Sequence, residues 1–292
     1  MATVIPLIVI VGPTASGKSA LALDLAERYN GEIICADSRS IYKGLDIGTA
    51  KPTREDQARV PHWGLDLVEP GELFSAADFQ RYARKKIADI RNRGKVPFLV
   101  GGTGLYIDGV ILEYEFGPNA DTKERAKWEA MTLEELHMYC NKNNVTLPDN
   151  SDNKRYVIRA IEQKSINTKR RTAPDEHTFV VGIATDREQL RQRIADRAEH
   201  LFSHGMLEEA IAAGEQYGWD SEAMTGNIYK LARRYRAGEL DYEAVQQANV
   251  TADWRLAKRQ LTWFKRHSFI NWLPLEKAST FIADHLAPLN KS

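Results

Sequence analysis

Residues 12–19 read Gly12-Pro13-Thr14-Ala15-Ser16-Gly17-Lys18-Ser19, a complete G-x-x-x-x-G-K-[ST] pattern. Its chemistry is phosphate binding: Gly12 and Gly17 let the backbone curl so that its N–H groups converge, Lys18 supplies a point charge, and Ser19 can hold a phosphate-borne Mg²⁺. A second reactive group is Asp37, which closes the apolar run Glu32-Ile33-Ile34-Cys35-Ala36. A carboxylate beside a phosphate cradle can bind metal, accept a proton from a nucleophile, or merely cap the next helix. A third apolar run, Lys95-Val96-Pro97-Phe98-Leu99-Val100, ends in Gly101-Gly102-Thr103-Gly104 and carries no acid. Asp37 is therefore the main carboxylate these run ends offer.

These residues need a scaffold, and the hydrophobic pattern supplies one. The loop follows the apolar run 6–11 and precedes a helical pattern from Ala20, which is the strand–loop–helix context a phosphate cradle requires. Residues 76–93 carry apolar side chains at helical spacing (Phe79, Tyr82, Ala83, Ile87, Ile90) between the second and third apolar runs. Strands alternating with helices predict an α/β fold, a P-loop NTPase-like parallel sheet flanked by helices, with ligands at the carboxyl ends of the strands. From 113 to 177 the apolar residues thin out, with a helix expected over 128–140, a polar loop over 141–153 and another helix over 156–163. The strand pattern resumes at Phe179. The expected organisation is a core of residues 1–112 and 178–292 with a small helical insertion domain, 113–177. Residues 187–217 read as continuous helix, Gly218-Trp219 as a break, and further helices run to about Arg266.

Of the 292 residues 43% are hydrophobic and 27% charged, as in ordinary globular proteins, and the formal net charge is zero, so the overall balance calls for no nucleic acid. The two cysteines, Cys35 and Cys140, have no metal-ligand spacing and fit free thiols in a reducing compartment. No basic leader and no membrane-length apolar stretch is visible, and a soluble cytoplasmic protein is expected. Positive charge is concentrated locally, however. Lys154, Arg155, Arg159, Lys164, Lys169, Arg170 and Arg171 share a short span with one acid, Glu162, and residues 254–267 are basic, acid-free and interleaved with aromatics. Such runs are commonly solvated helix faces, but two in a neutral chain point towards a polyanion.

The segment Asp37-Ser38-Arg39-Ser40-Ile41-Tyr42-Lys43-Gly44-Leu45-Asp46-Ile47-Gly48-Thr49-Ala50-Lys51-Pro52 resembles the signature of the tRNA dimethylallyltransferases. Further similar segments follow in family order: Gly12-Pro13-Thr14, Val60-Pro61-His62, residues 74–79, Gly101-Gly102-Thr103-Gly104-Leu105-Tyr106, residues 155–162, and Ala257-Lys258-Arg259-Gln260-Leu261-Thr262-Trp263-Phe264. The resemblance implies transfer of a dimethylallyl group from its pyrophosphate to N6 of the adenosine just 3′ of the anticodon. It implies that Gly12, Pro13, Thr14, Ala15, Ser16, Gly17, Lys18 and Ser19 hold the pyrophosphate, with Mg²⁺ at Ser19. It makes Asp37 the acceptor of the N6 proton, with Lys18 and Thr103 also catalytic. Contacts to the tRNA anticodon stem-loop fall to Asp37, Ser38, Arg39, Ser40, Thr103, Arg155, Tyr156, Arg159, Lys258 and Arg259. A monomer with no membrane partner is expected. The chain departs from the pattern at Ile228, where many members have Gly, at Trp254, where Arg is common, and in its short insertion. A prenyltransferase acting on free adenine nucleotides and a P-loop nucleotide kinase are the alternatives.

Overall fold

A computed structural model describes residues 4–117, 122–148, 150–163 and 170–287. Strand β1 (Leu7–Val11) is buried at all five positions, as a central strand of a parallel sheet must be. It is followed by α1 (Lys18–Arg28), β2 (Gly31–Ala36), α2 (Arg54–Arg59), β3 (His62–Trp63), α3 (Ala76–Asn92), β4 (Val96–Gly101) and α4 (Gly104–Ile111). Among the described residues of the insertion are three helices, α5 (Thr122–Ala130), α6 (Leu133–Lys142) and α7 (Lys154–Gln163). The chain returns through β5 (Thr178–Ile183), α8 (Arg187–Ser203), α9 (Met206–Tyr217), a short 3-10 turn over Glu222–Thr225, α10 (Asn227–Arg236), α11 (Tyr242–Lys265), β6 (Asn271–Leu273) and α12 (Leu275–Leu286).

The six strands form one sheet in the order β3-β2-β4-β1-β5-β6, and every pair is parallel. Register aligns the carboxyl ends that matter: Gly101 of β4 pairs with Val11 of β1 on one side and Ala36 of β2 on the other. The loops that begin at Gly12, Asp37 and Gly102 therefore leave the sheet side by side. On one face, Leu21, Ala22, Leu25 and Ala26 of α1 and Ala278, Ile282 and Leu286 of α12 cover Ile8, Ile10, Ile33, Phe98 and Val181.

The molecule divides into two compact units, residues 1–111 with 175–292, and residues 112–174. The Leu7 amide donates to the His177 carbonyl (2.8 Å), so residues 175–177 belong with the sheet and not with the insertion. The smaller unit has its own core of Leu136, Cys140, Val157, Ile158 and Ile161, with Trp128 and Tyr139 packed against it. Its Glu162 is buried at the side chain and held by Arg125 and Arg159, both at 3.1 Å.

Two expected helices are each a pair. The 128–140 helix breaks because Thr132 accepts from the Glu135 amide while Glu135 reaches back to the Thr132 amide, a capping box that starts α6 and contributes about 1 kcal/mol. The 187–217 helix breaks at Gly205, whose φ of 91° lies in the left-handed region. Helix periodicity runs through both breaks, so only local capping chemistry marks them. Strands β3 and β6 have two and three residues and leave no periodic signal.

Candidate functional site

The loop after β1 is shaped by two residues with positive φ, Ala15 (φ 61°) and Gly17 (φ 89°), whose loop neighbours have none. That alternation turns successive N–H groups inward, and the first turn of α1 adds amides that no helical carbonyl can accept. Gly17 has a second reason to lack a side chain: a Cβ there would lie 2.8 Å from Leu275 Cδ1. The Ser16 hydroxyl is fully buried in the loop with no partner among the described residues, a donor held ready for a ligand oxygen.

Lys18 Nζ donates to the Pro13 carbonyl (3.1 Å) and borders the cavity described below. Burial first, and the neighbouring Arg197 second, push its pKa down to about 8, against an opposing pull from Asp37. Arg197 comes from α8 and donates to the Thr14 hydroxyl, while Arg193 donates to the Ser16 carbonyl at 3.3 Å. Gln260 of α11 ties two strand ends together: its Oε1 accepts from the Thr14 amide (2.8 Å) and its Nε2 donates to the Gly102 carbonyl (3.2 Å). A Cβ on Gly102 would meet that Nε2 at 2.3 Å, so a side chain there would displace the Gln260 amide from these bonds.

Asp37 leaves β2 into the same space. Its Oδ1 accepts from the Arg39 amide (2.8 Å), a local turn bond, and Oδ2 has no hydrogen bond among the described residues. Thr103 Oγ1 accepts from the Ser38 amide (3.0 Å), and the Thr103 amide donates to the Ala36 carbonyl (3.2 Å). Asp37 and Thr103 are thus anchored to each other's segments. Ser40 is buried, and Arg39 is committed to the 3-10 turn, donating to the Glu222 carbonyl (2.9 Å) and the Thr225 hydroxyl (2.7 Å).

All of this surrounds one cavity of 690 Å³ within the larger unit. Residues 14–19, 37–40 and 101–103, together with Arg197, Asn227 and Asp253 and the expected tRNA contact Arg259, lie on its wall. Gly12 and Pro13 are buried. Another stretch of wall, 48–50, has no regular secondary structure, and its position is set from α9. The Glu209 carboxylate accepts the amides of Asp46, Ile47 and Gly48, each at 2.8 Å. Nearby, Asn227 donates to Asp253 (2.9 Å), whose pKa is raised by burial.

The remaining expected tRNA contacts fall elsewhere. Lys258 is exposed on α11 near Trp254. Arg155 and Tyr156 are exposed on α7 of the smaller unit, and Arg159 pairs with Glu162. Much of the insertion's basic run is engaged: Lys154 donates to the Glu129 carbonyl (2.7 Å), Arg170 lies over the Tyr114 ring and Arg171 pairs with Glu113. Lys164 and Lys169 lie outside the described residues. Of the α11 aromatics, Phe264 is fully buried and Trp263 is partly buried and donates to buried Asp108 (3.0 Å).

Sequence reasoning missed Arg197, Gln260, Asp253 and Glu209 as site residues. Each is a polar residue on a helix far along the chain, and a helix pattern shows only that such residues avoid the core. Gln260 alone lay within a motif already singled out.

A family model described as IPP transferase matches residues 40–267. The tRNA dimethylallyltransferase of Staphylococcus epidermidis is 36% identical over 291 residues, covering 94% of this chain and 88% of that protein. The tRNA dimethylallyltransferase of Bacillus pumilus is 38% identical over 288 residues, covering 92% and 90%. The crystal structure of the full-length tRNA isopentenylpyrophosphate transferase of Bacillus halodurans superimposes with a TM-score of 0.74 at 34% identity, covering 98% of both chains. A eukaryotic dimethylallyltransferase acting on tRNA, 23% identical, shares the fold with a TM-score of 0.77 over 88% of this chain. With the family model spanning residues 40–267 and relatives of 36–38% identity covering more than nine-tenths of it, this chain belongs to the IPP transferase family.

Proposed function

We propose that the protein is a tRNA dimethylallyltransferase: it moves the five-carbon group of dimethylallyl pyrophosphate to N6 of the adenosine just 3′ of the anticodon and releases pyrophosphate. The observation that carries this reading is the meeting of a cationic phosphate cradle and a carboxylate with one free oxygen, Asp37 Oδ2, in one cavity. The N6 lone pair forms a bond to the allylic carbon as that carbon's bond to pyrophosphate oxygen breaks, and the electron pair leaves with the oxygen. Negative charge grows on the leaving group, and Lys18, Arg197 and the inward amides are already oriented to receive it. The N6 proton passes to Asp37. Thr103, bonded to the Ser38 amide, holds the adjacent backbone so that Asp37 keeps its aim.

The proposed cofactor is Mg²⁺. Among the described residues no group of three or more His, Cys, Asp or Glu side chains could hold a metal, so an all-protein cage does not fit. The exposed Ser19 hydroxyl at the start of α1 is a hard oxygen donor that suits an ion bound mainly by phosphate and water. Such an ion would neutralise charge on the departing pyrophosphate. A target base must leave its stack to enter a cavity of this kind, which costs least in a single-stranded loop, and Arg155, Tyr156, Lys258 and Arg259 are the proposed tRNA contacts. A monomer is the proposed state. Among the described residues no helix is long and apolar enough to cross a membrane, and cytoplasmic action on tRNA is the proposed setting.

The test is incubation with dimethylallyl pyrophosphate, Mg²⁺ and an unmodified tRNA carrying that adenosine, beside parallel reactions with AMP and with ATP alone. Prenyl incorporation into N6 of the tRNA is expected. Incorporation into AMP alone, or ATP turnover with no prenyl transfer, overturns the proposal.

A further inference from the structure

We infer that α8 and α11 together form an RNA phosphate-binding surface at the rim of the cavity, organised by Trp254. Arg191, Arg187 and Lys258 all lie over the Trp254 ring, with their charged centres 4.8, 5.8 and 6.0 Å from its centroid. Arg255 and Arg259 are exposed on the same helix. None of these five cations is in ion-pair contact with a carboxylate among the described residues. Four other surface arginines of this unit are paired, Arg233 with Asp220, Arg234 with Glu239, Arg236 with Glu215 and Arg59 with Glu27.

Gathering like charges around one ring is unfavourable unless something offsets the repulsion. The face of an indole offsets part of it through its quadrupole. A polyanion offsets the rest, and phosphates released of their counterions are the strongest such partner. Trp254 is fixed for this task because it packs on Leu190, Ile194 and Ala257, the cluster that also receives Ala15 of the phosphate loop. The surface is continuous with the site, since Arg259 lines the cavity. The ring is occupied by side-chain cations, so the surface reads phosphates and not bases. It extends RNA contact from α11 onto α8, where neither Arg187 nor Arg191 has a structural role in the site.

This inference rests on the tRNA reading, and the experiment separates the two. Binding of unmodified tRNA is measured against KCl concentration for the wild-type protein, R187A/R191A, Trp254→Ala and Trp254→Phe, with inorganic pyrophosphate affinity as the control. The double variant is expected to bind tRNA about tenfold more weakly at physiological salt, with a log–log salt slope shallower by about 1 to 2, because each lost phosphate contact removes about 0.7 to 0.9 from it. Trp254→Ala removes no charge, yet it is expected to weaken tRNA binding about threefold to tenfold, with Trp254→Phe restoring part of the loss. Pyrophosphate affinity is expected to stay unchanged in the double variant. Salt-dependent tRNA binding with an unchanged slope in R187A/R191A overturns the surface alone, and unchanged affinity in Trp254→Ala overturns the organising role of the indole. A wild-type protein that binds no tRNA overturns the functional reading and this surface with it.

Discussion

Strand β2 carries a carboxylate near each end, and the two are opposites. Glu32 at the amino end is 1% exposed and takes hydrogen bonds from Arg93, Lys95 (2.8 Å) and Trp63 (2.8 Å), with Arg93 first among the causes that bring its pKa down to about 2. Asp37, just past the carboxyl end, takes one backbone bond and faces the cavity with an oxygen to spare. A saturated carboxylate can only hold structure, whereas an unsaturated one can take a proton. The largest expected effect breaks the second kind: Asp37→Ala should lower kcat roughly 10²- to 10⁴-fold, with tRNA affinity and melting temperature little changed. Single-turnover prenyl transfer measured beside tRNA binding checks this, and an equal loss in both would make Asp37 a positioning group.

Glu32→Gln should do the reverse, costing stability and leaving turnover of the folded protein intact. The shift from 4.5 to about 2 corresponds to roughly 3 kcal/mol, and solvent screening at the partly exposed Arg93 and Lys95 reduces it to about 2 kcal/mol. The folded-state pKa is the depressed one, so this stability is present above pH 4.5 and is lost as pH falls towards 2. Urea unfolding at pH 7 and at pH 3 checks both statements. The variant should be the less stable at pH 7, and the gap should narrow at pH 3.

Much of this contrast is legible in the sequence, and the part that is not has a physical reason. The phosphate loop and Asp37 could be read because their neighbours in space are neighbours in the chain: a strand, a turn and a helix start. Glu32 could not be recognised as structural, because Trp63 reaches it from β3 and Arg93 and Lys95 from the turn between α3 and β4. The same holds for Arg197 and Gln260, which approach the phosphate loop from α8 and α11 across 183 and 246 residues. The insertion was visible as a change of texture, and its internal break at Thr132 was not, since one capping hydroxyl outweighs an uninterrupted periodicity.

The contrast sharpens at Lys18, which Asp37 alone pulls back towards its ordinary pKa. Lys18 is a cation with a depressed pKa, charged below about 8 and neutral above it. The affinity advantage for inorganic pyrophosphate of wild type over Lys18→Ala should therefore shrink roughly tenfold between pH 7 and pH 9. Using the ratio removes the ionisation of pyrophosphate itself. In an Asp37→Ala background the same loss should begin at lower pH, because the opposing charge is gone. Titration calorimetry across that range reads both, and an advantage independent of pH would mean that Lys18 keeps its proton throughout.

The smallest expected effect belongs to a third carboxylate that combines the two behaviours. Glu209 is saturated like Glu32, by three amides, but the backbone it holds continues into the cavity wall at Gly48, Thr49 and Ala50. Glutamine keeps one acceptor and turns the other into a donor facing an amide N–H, so Glu209→Gln loses at least one bond and gains a repulsion, about 1 kcal/mol. That wall offers the site no charged side chain, so pyrophosphate affinity should not change. The loss should appear as roughly a fivefold fall in kcat/KM for tRNA, larger than any effect that a small drop in melting temperature would produce at 25 °C. Equal weakening of pyrophosphate binding would place Glu209 with Glu32, as a support of the whole fold. A lower melting temperature with unchanged kcat/KM would do the same, and only the selective outcome makes it the carboxylate that keeps the wall in position for Asp37.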